Sequence, residues 1–419
     1  MKWPAAAFGL VGAVGTYFAH PQNQPIVRFG LIGQHAGYLS PCGCTTPMSG
    51  GLLRVATEVR RLHLQGEAIV LDTGDLVHDI KRQDVLKAET VSQTFASLDV
   101  TAANVSAADA QLGEGEWLNL AGLADGRYVC SELGPENPEG FKGEIQRDGY
   151  MIGGFSVDPS LLGKRLGTSA APLDSAVDRF LADAKSTGLL PIVMLDGTQE
   201  RAIELAKRHQ GIVLLTYQIT GRAPTTTMLV GKVILVAPGE RGEDFVSFSL
   251  QGSDIRSYNA EPMGPDVADD AGVKQLYDAY LREVAREDLW SQQLRQNGPA
   301  FAGSQKCGSC HQESYKVWKS SDHSHALATL AAQGHQYDPE CMVCHVTGGE
   351  LKAGFQSEMS TPQLAMVGCE SCHGAGAAHA AKPRLVRMPK TIAHQCMSCH
   401  TKLNSPKFDF ADYWPRIRH

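Results

Sequence analysis

Cys307-Gly-Ser-Cys310-His311, Cys341-Met-Val-Cys344-His345, Cys369-Glu-Ser-Cys372-His373 and Cys396-Met-Ser-Cys399-His400 repeat one pentapeptide, Cys-x-x-Cys-His, four times near the end of the chain. This motif marks covalent c-type haem attachment: two thiols spaced to join the porphyrin's two vinyl groups, and an imidazole placed to reach the iron. Eight cysteines in four pairs could instead hold two tetrahedral zinc ions. Zinc, however, has no need of a histidine directly after every pair, and all four pairs here have one. The segment therefore reads as a carrier of four covalent haems c.

The histidines agree. Ten of the fifteen lie after residue 300. Four close the motifs, and His323, His325, His335, His379, His394 and His419 remain as candidate second axial ligands, enough for bis-histidine coordination at three or four irons. The segment resembles the tetrahaem cytochrome c554 family. The resemblance rests on Gly303 to His311, Val317-Trp318-Lys-Ser-Ser321-Asp-His323-Ser-His325-Ala326, Asp338 to Gly348, Val367 to His379, and the closing Phe408-Asp-Phe and Tyr413-Trp-Pro-Arg-Ile-Arg-His419. It implies a mostly helical domain with closely stacked porphyrins and distal ligands from non-motif histidines. By position in that pattern these are His323, His379 and His419, with His335 and His325 competing for a fourth place. The family can also leave one haem five-coordinate.

Ahead of this segment the chain is acidic. Residues 1–300 hold 26 Lys and Arg against 36 Asp and Glu, and residues 301–419 hold 12 against 9. Haem propionates would make the second part negative as well, so nothing favours nucleic acid as a partner. Residues 1–24 open with Lys2 and then an uncharged Ala/Gly-rich run, which reads as a signal peptide or an N-terminal anchor. Export to the periplasm or cell exterior is expected independently, since haem c is attached outside the bacterial cytoplasm.

Residues 25–253 alternate β-branched runs with amphipathic helices, the pattern of an α/β layered sandwich. Expected strands are Ile26–Ile32, Ala68–Leu71, Leu190–Leu195, Gly211–Tyr217, Met228–Val236 and Phe245–Leu250. Expected helices include Leu52–Leu64, Ala176–Ala184 and Glu200–Arg208. The part resembles the calcineurin-like metallophosphoesterases of the 5′-nucleotidase type through Ile32-Gly-Gln-His35, Gly50-Gly51-Leu-Leu-Arg54, Leu71-Asp72-Thr-Gly74-Asp75 and Ala103-Asn104. Those enzymes activate water with two metals. Here Gly33 stands in place of the first ligand Asp, Val105 in place of the His after Asn104, and Asp196 and the Tyr217 stretch in place of later histidines. The resemblance thus implies the fold without the hydrolysis.

Cys42 and Cys44, in Ser40-Pro-Cys-Gly-Cys44, lie in the loop after the first strand. Three readings stand: a disulfide with Cys130, a redox-active thiol pair, or a thiolate metal site completed by His35. Residues 254–300 read as a linker with a connecting helix over Gly272–Trp290, and 301–419 as the tetrahaem domain. The function expected is electron transfer by an exported multihaem cytochrome. Its partners would be other redox proteins, a membrane complex or copies of itself. The rivals are a catalytic reductase with one open haem and a subunit of a polymeric electron conduit.

Overall fold

The computed structural model describes residues 24–41, 48–133, 139–389 and 393–419. Two six-stranded sheets form the first part. One has the order β12-β11-β1-β2-β3-β4, from β1 (Ile26–Ile32), β2 (Ile69–Asp72), β3 (Ala102–Asn104), β4 (Tyr128–Val129), β11 (Asp244–Gln251) and β12 (Asp254–Pro262). The other has the order β5-β6-β7-β8-β10-β9, from β5 (Ile145–Arg147), β6 (Tyr150–Ser156), β7 (Leu190–Thr198), β8 (Leu214–Gln218), β9 (Met228–Val230) and β10 (Val233–Val236).

Strand periodicity sorts the side chains into layers. Phe29, Leu31, Ile69 and Leu71 of the first sheet meet Ile152, Met194, Leu214 and Ile234 of the second in one core between the sheets. The alternate residues face outward. Ile32 and Val70 pack under α1 (Leu52–Leu64), α2 (Arg82–Ser97), α3 (Glu114–Leu123) and a later helix, Ala271–Arg286. Val193, Leu195 and Leu215 pack under Leu173–Thr187 and Gln199–Arg208. The result is an α/β/β/α sandwich, as the alternation of strand and helix implied.

Two expectations need correction. Residues 254–262, taken as linker, form edge strand β12, paired antiparallel along β11. Ile255, Tyr258 and Ala260 supply its half-buried face, a pattern masked by the Pro, Gly and Asp that follow. Met228–Val236, read as one strand, is a hairpin, because Gly231 takes a φ of 62° and turns the chain between β9 and β10.

The C-terminal part consists of short helices, none longer than the eight residues of Gln312–Lys319. Its apolar core is small: Trp290, Leu327, Leu330, Met342, Val346, Phe355 and Leu364. So little apolar packing suits a segment whose interior is completed by covalent cofactors. Among the described residues no helix is long and apolar enough to cross a membrane.

Candidate functional site

Each Cys-x-x-Cys-His motif sits on or beside one helical turn, which puts both thiols and the following imidazole at one end of a short element. The decisive geometry lies between histidines far apart in sequence. The ring of His311 faces His379 with centroids 6.2 Å apart, His400 faces His323 at 6.1 Å, and His373 faces His419 at 5.9 Å. An imidazole nitrogen binds a metal at about 2 Å, so two rings on one ion have centroids roughly 6 Å apart. A cleft between His373 and His419 is also lined by Cys369, Cys372, His323 and Trp318. Both thiols of the third motif, its histidine and an opposed histidine thus converge on one space.

Hydrogen bonds set the ring orientations. Nδ1 of His345 lies 2.8 Å from the Ala326 carbonyl, Nδ1 of His379 2.6 Å from that of Val386, and Nδ1 of His419 3.0 Å from that of Ile417. His373 Nδ1 is 3.3 Å from the Pro389 carbonyl, and His400 Nδ1 is 2.9 Å from the Ser405 hydroxyl. A carbonyl partner requires Nδ1 to carry the proton, which leaves Nε2 as the lone-pair nitrogen. That is how protein metal sites fix ligand tautomers. Phe408 stacks on His400 at 4.6 Å and fixes its plane further. Burial holds the His323 and His400 imidazoles below the ordinary histidine range, helped at His323 by nearby His345 and at His400 by His323.

The motifs are also close to one another. The Cys307 thiol bonds that of Cys369, and Cys344 bonds Cys399. These contacts hold Cys369 down to about 6 and Cys399 down to about 7, whereas burial pushes Cys372 up to about 11.

His325 and His394 are exposed. His335 turns Nε2 toward the Tyr277 hydroxyl at 3.3 Å, and groups with Asp338 and Cys341. His323, His379 and His419 are the non-motif histidines whose rings lie 5.9–6.2 Å from a motif histidine.

Sequence reading missed Glu370, because its partners lie far away along the chain. Its buried carboxylate accepts Ala302 N at 2.8 Å, Gly303 N at 2.7 Å and Gly376 N at 2.6 Å. It thereby ties the third motif to the approach of the first and to the start of the His379 helix. Glu370→Ala leaves three buried amides without their acceptor, at about 1–3 kcal/mol each if water does not replace it. The expected result is a fall in the denaturation midpoint. An unchanged melting curve would contradict this.

In the sandwich, the loops at the carboxyl ends of β1, β2 and β3 bring together His35, Asp72, Asp75 and Asn104. His35 Nε2 is 2.6 Å from Asp72 Oδ2. Asn104 spends its amide bridging the sheets, donating to the Phe155 and Met194 carbonyls at 3.2 Å. Burial and the nearby Asp196 carboxylate push Asp75 up to about 6. Among the described residues the one cluster with metal-ligand spacing is His335, Asp338 and Cys341, in the other part of the chain. Cys42 and Cys44 lie outside the described residues. Cys130 is a free, buried thiol, with its sulfur 3.7 Å from Glu132.

Residues 306–374 match the family described as cytochrome c554 and c-prime. The same region is 36% identical over 100 residues to cytochrome c-554 of Nitrosomonas europaea, a match covering 20% of this chain and 42% of that relative. The C-terminal segment is thus similar to cytochrome c554, and the chain spans less than half of that relative's length. The sandwich is similar to a 5′-nucleotidase precursor of Thermus thermophilus (TM-score 0.52, 15% identity, 66% of this chain and 61% of that one). It is also similar to the NAD nucleotidase of Haemophilus influenzae (0.52, 12%, 67% and 64%) and to the sulfate thiohydrolase SoxB of Thermus thermophilus (0.50, 16%, 61% and 60%). At such identities the likeness is one of fold, and this chain spans less than two thirds of each. The fold is that of the metallophosphoesterases.

Proposed function

We propose that this protein is an exported electron carrier holding four haems c, three of them with two histidine ligands. The observation that carries the reading is the set of three opposed imidazole pairs, His311 with His379, His373 with His419, and His400 with His323. In this reading Cys307 and Cys310, Cys341 and Cys344, Cys369 and Cys372, and Cys396 and Cys399 form the thioether links, and His345 is the proximal ligand of the second motif. Bound haem supplies one-electron chemistry at iron; two histidine ligands favour electron transfer over substrate binding. The residues do the rest. The anchored Nδ1 atoms hold the rings, and the short sequence between motifs keeps the sites adjacent. Partners are other redox proteins, in a membrane complex or through self-assembly, with the periplasm or cell exterior as the setting. Intact-mass measurement of the purified protein should give four haem additions, and a mass of polypeptide plus zinc would refute the reading.

A second reading, a catalytic cytochrome with one open iron, is favoured by the orientation of His335 toward Tyr277 and the exposure of His325. A high-spin signal from one haem in four would support it.

The sandwich is read as inactive toward phosphate esters. Its loop offers a redox pair in Cys42 and Cys44 instead. A Cys-x-Cys disulfide closes a strained ring and is comparatively easy to reduce. Ser40, two residues before Cys42, hydrogen-bonds Tyr277, the residue against His335. Thiol trapping at controlled potential should alkylate both cysteines under mild reduction of the folded protein. Failure of both to react would end the redox reading.

A further inference from the structure

The helix Pro339–His345 carries the whole second motif and is only seven residues long. Helices this short do not hold their own position in water, so their contacts set it. Its cap is Asp338, 6% exposed, whose Oδ1 accepts Glu340 N at 3.0 Å. The same oxygen accepts Gln83 Nε2 at 2.7 Å, and that nitrogen also donates to the Tyr280 hydroxyl at 2.8 Å. One turn further along α2, Lys87 Nζ bonds both carboxylate oxygens of Glu340, at 2.7 and 2.6 Å.

Gln83 and Lys87 share a helix face by their spacing, and both are 6% exposed. The Lys87 stem also lies beside Gly37, where an added Cβ would stand 3.0 Å from its Cδ. Two buried polar side chains of the sandwich therefore end on the N-cap and first turn of the motif helix, while one also rests on the loop that follows β1. The first and third motifs are held differently, by Glu370 and by Ser304 Oγ, which accepts Cys369 N at 3.0 Å.

We propose that the sandwich is the positioning scaffold of the second motif, acting through Gln83 and Lys87, and that it thereby tunes the potential of the haem held by Cys341, Cys344 and His345. This rests on the four-haem reading and gives the metallophosphoesterase-like fold a role that needs no hydrolysis. Haem potentials follow burial and the hydrogen bonding behind the ligands. A helix released from α2 changes both at His345.

The test uses the full-length holoprotein. Gln83→Leu removes the amide at similar volume, and Lys87→Met keeps the stem but loses the ammonium. Spectropotentiometric titration of each should move one midpoint of four and leave the other three on the parent curve. The moving component should be the one missing from a C341S/C344S double variant. Lys87→Arg should restore the parent curve, since a guanidinium reaches both carboxylate oxygens. Arg201→Gln, which breaks an exposed pair with Glu204 elsewhere on the sandwich, should move nothing. Titrations unchanged in both variants, or shifted evenly across all four components, would overturn the proposal. If Gln83→Leu does not fold, Lys87→Met decides alone, because Glu340 is exposed enough to rehydrate. The parent's haem count tests the four-haem reading separately: a count below four with a single-component shift keeps the scaffold, and four haems with no shift rejects it.

Discussion

His419→Met is expected to raise the midpoint potential of one haem in four by on the order of 0.1 V while leaving haem content intact, within the roughly 0.8 V that axial ligands span. In the proposed arrangement Cys369, Cys372 and His373 are untouched by this substitution, so the haem they hold should stay attached. What changes is the ligand opposite His373, now 5.9 Å away as an imidazole. Methionine in place of histidine is the exchange that raises cytochrome potentials. His379→Met and His323→Met should do the same to the haems of His311 and His400, each moving a different component of the titration. His394→Met is the control: that side chain is exposed, and its loss should move nothing. Unchanged titrations in all three substitutions would remove these assignments and return the role to His325, His335 and His394.

The three pairings could not be read from the sequence. The ring of His379, six residues after the third motif's histidine, lies against His311 of the first motif, and that of His323 lies against His400 of the last. Spacing identifies candidate ligands, but which ring meets which is decided by the packing of short helices with almost no periodicity of their own. The haem attachment residues were legible because their chemistry is local, a pentapeptide. Glu370, Gln83 and Lys87 were not, since each acts on backbone or side chains tens to hundreds of residues away. In the sandwich β1, β2, β7 and β8 were legible as apolar β-branched runs, whereas β6, buried along its whole length, was missed because it carries two glycines and a single β-branched residue. The short β3, β4 and β5, of three, two and three residues, were missed as well, because so few residues carry no periodicity.

The largest loss of stability is expected where one would try to rebuild a phosphoesterase. Gly33→Asp restores the missing ligand type in the loop after β1, yet no side chain fits there. Gly33 has a φ of 138°, and a Cβ on it would stand 2.1 Å from Thr73 Oγ1 and 2.7 Å from Thr73 N. The second contact is with backbone, so trimming Thr73 does not relieve it. Strain of this kind, at a φ that L-residues rarely adopt, is expected to cost about 3 kcal/mol or more. Val105→His adds a large polar ring to a position that is 1% exposed and part of the apolar core. The parent, Gly33→Asp and the double variant should all fail to turn over nucleotides or a chromogenic phosphomonoester with manganese. The variants should also unfold at lower denaturant than the parent. Turnover in the parent that is abolished by Asp75→Ala would show that the sandwich keeps its hydrolytic chemistry. A Gly33→Asp protein as stable as the parent would show that the loop can open to admit a ligand side chain, and the argument from Thr73 would fall with it.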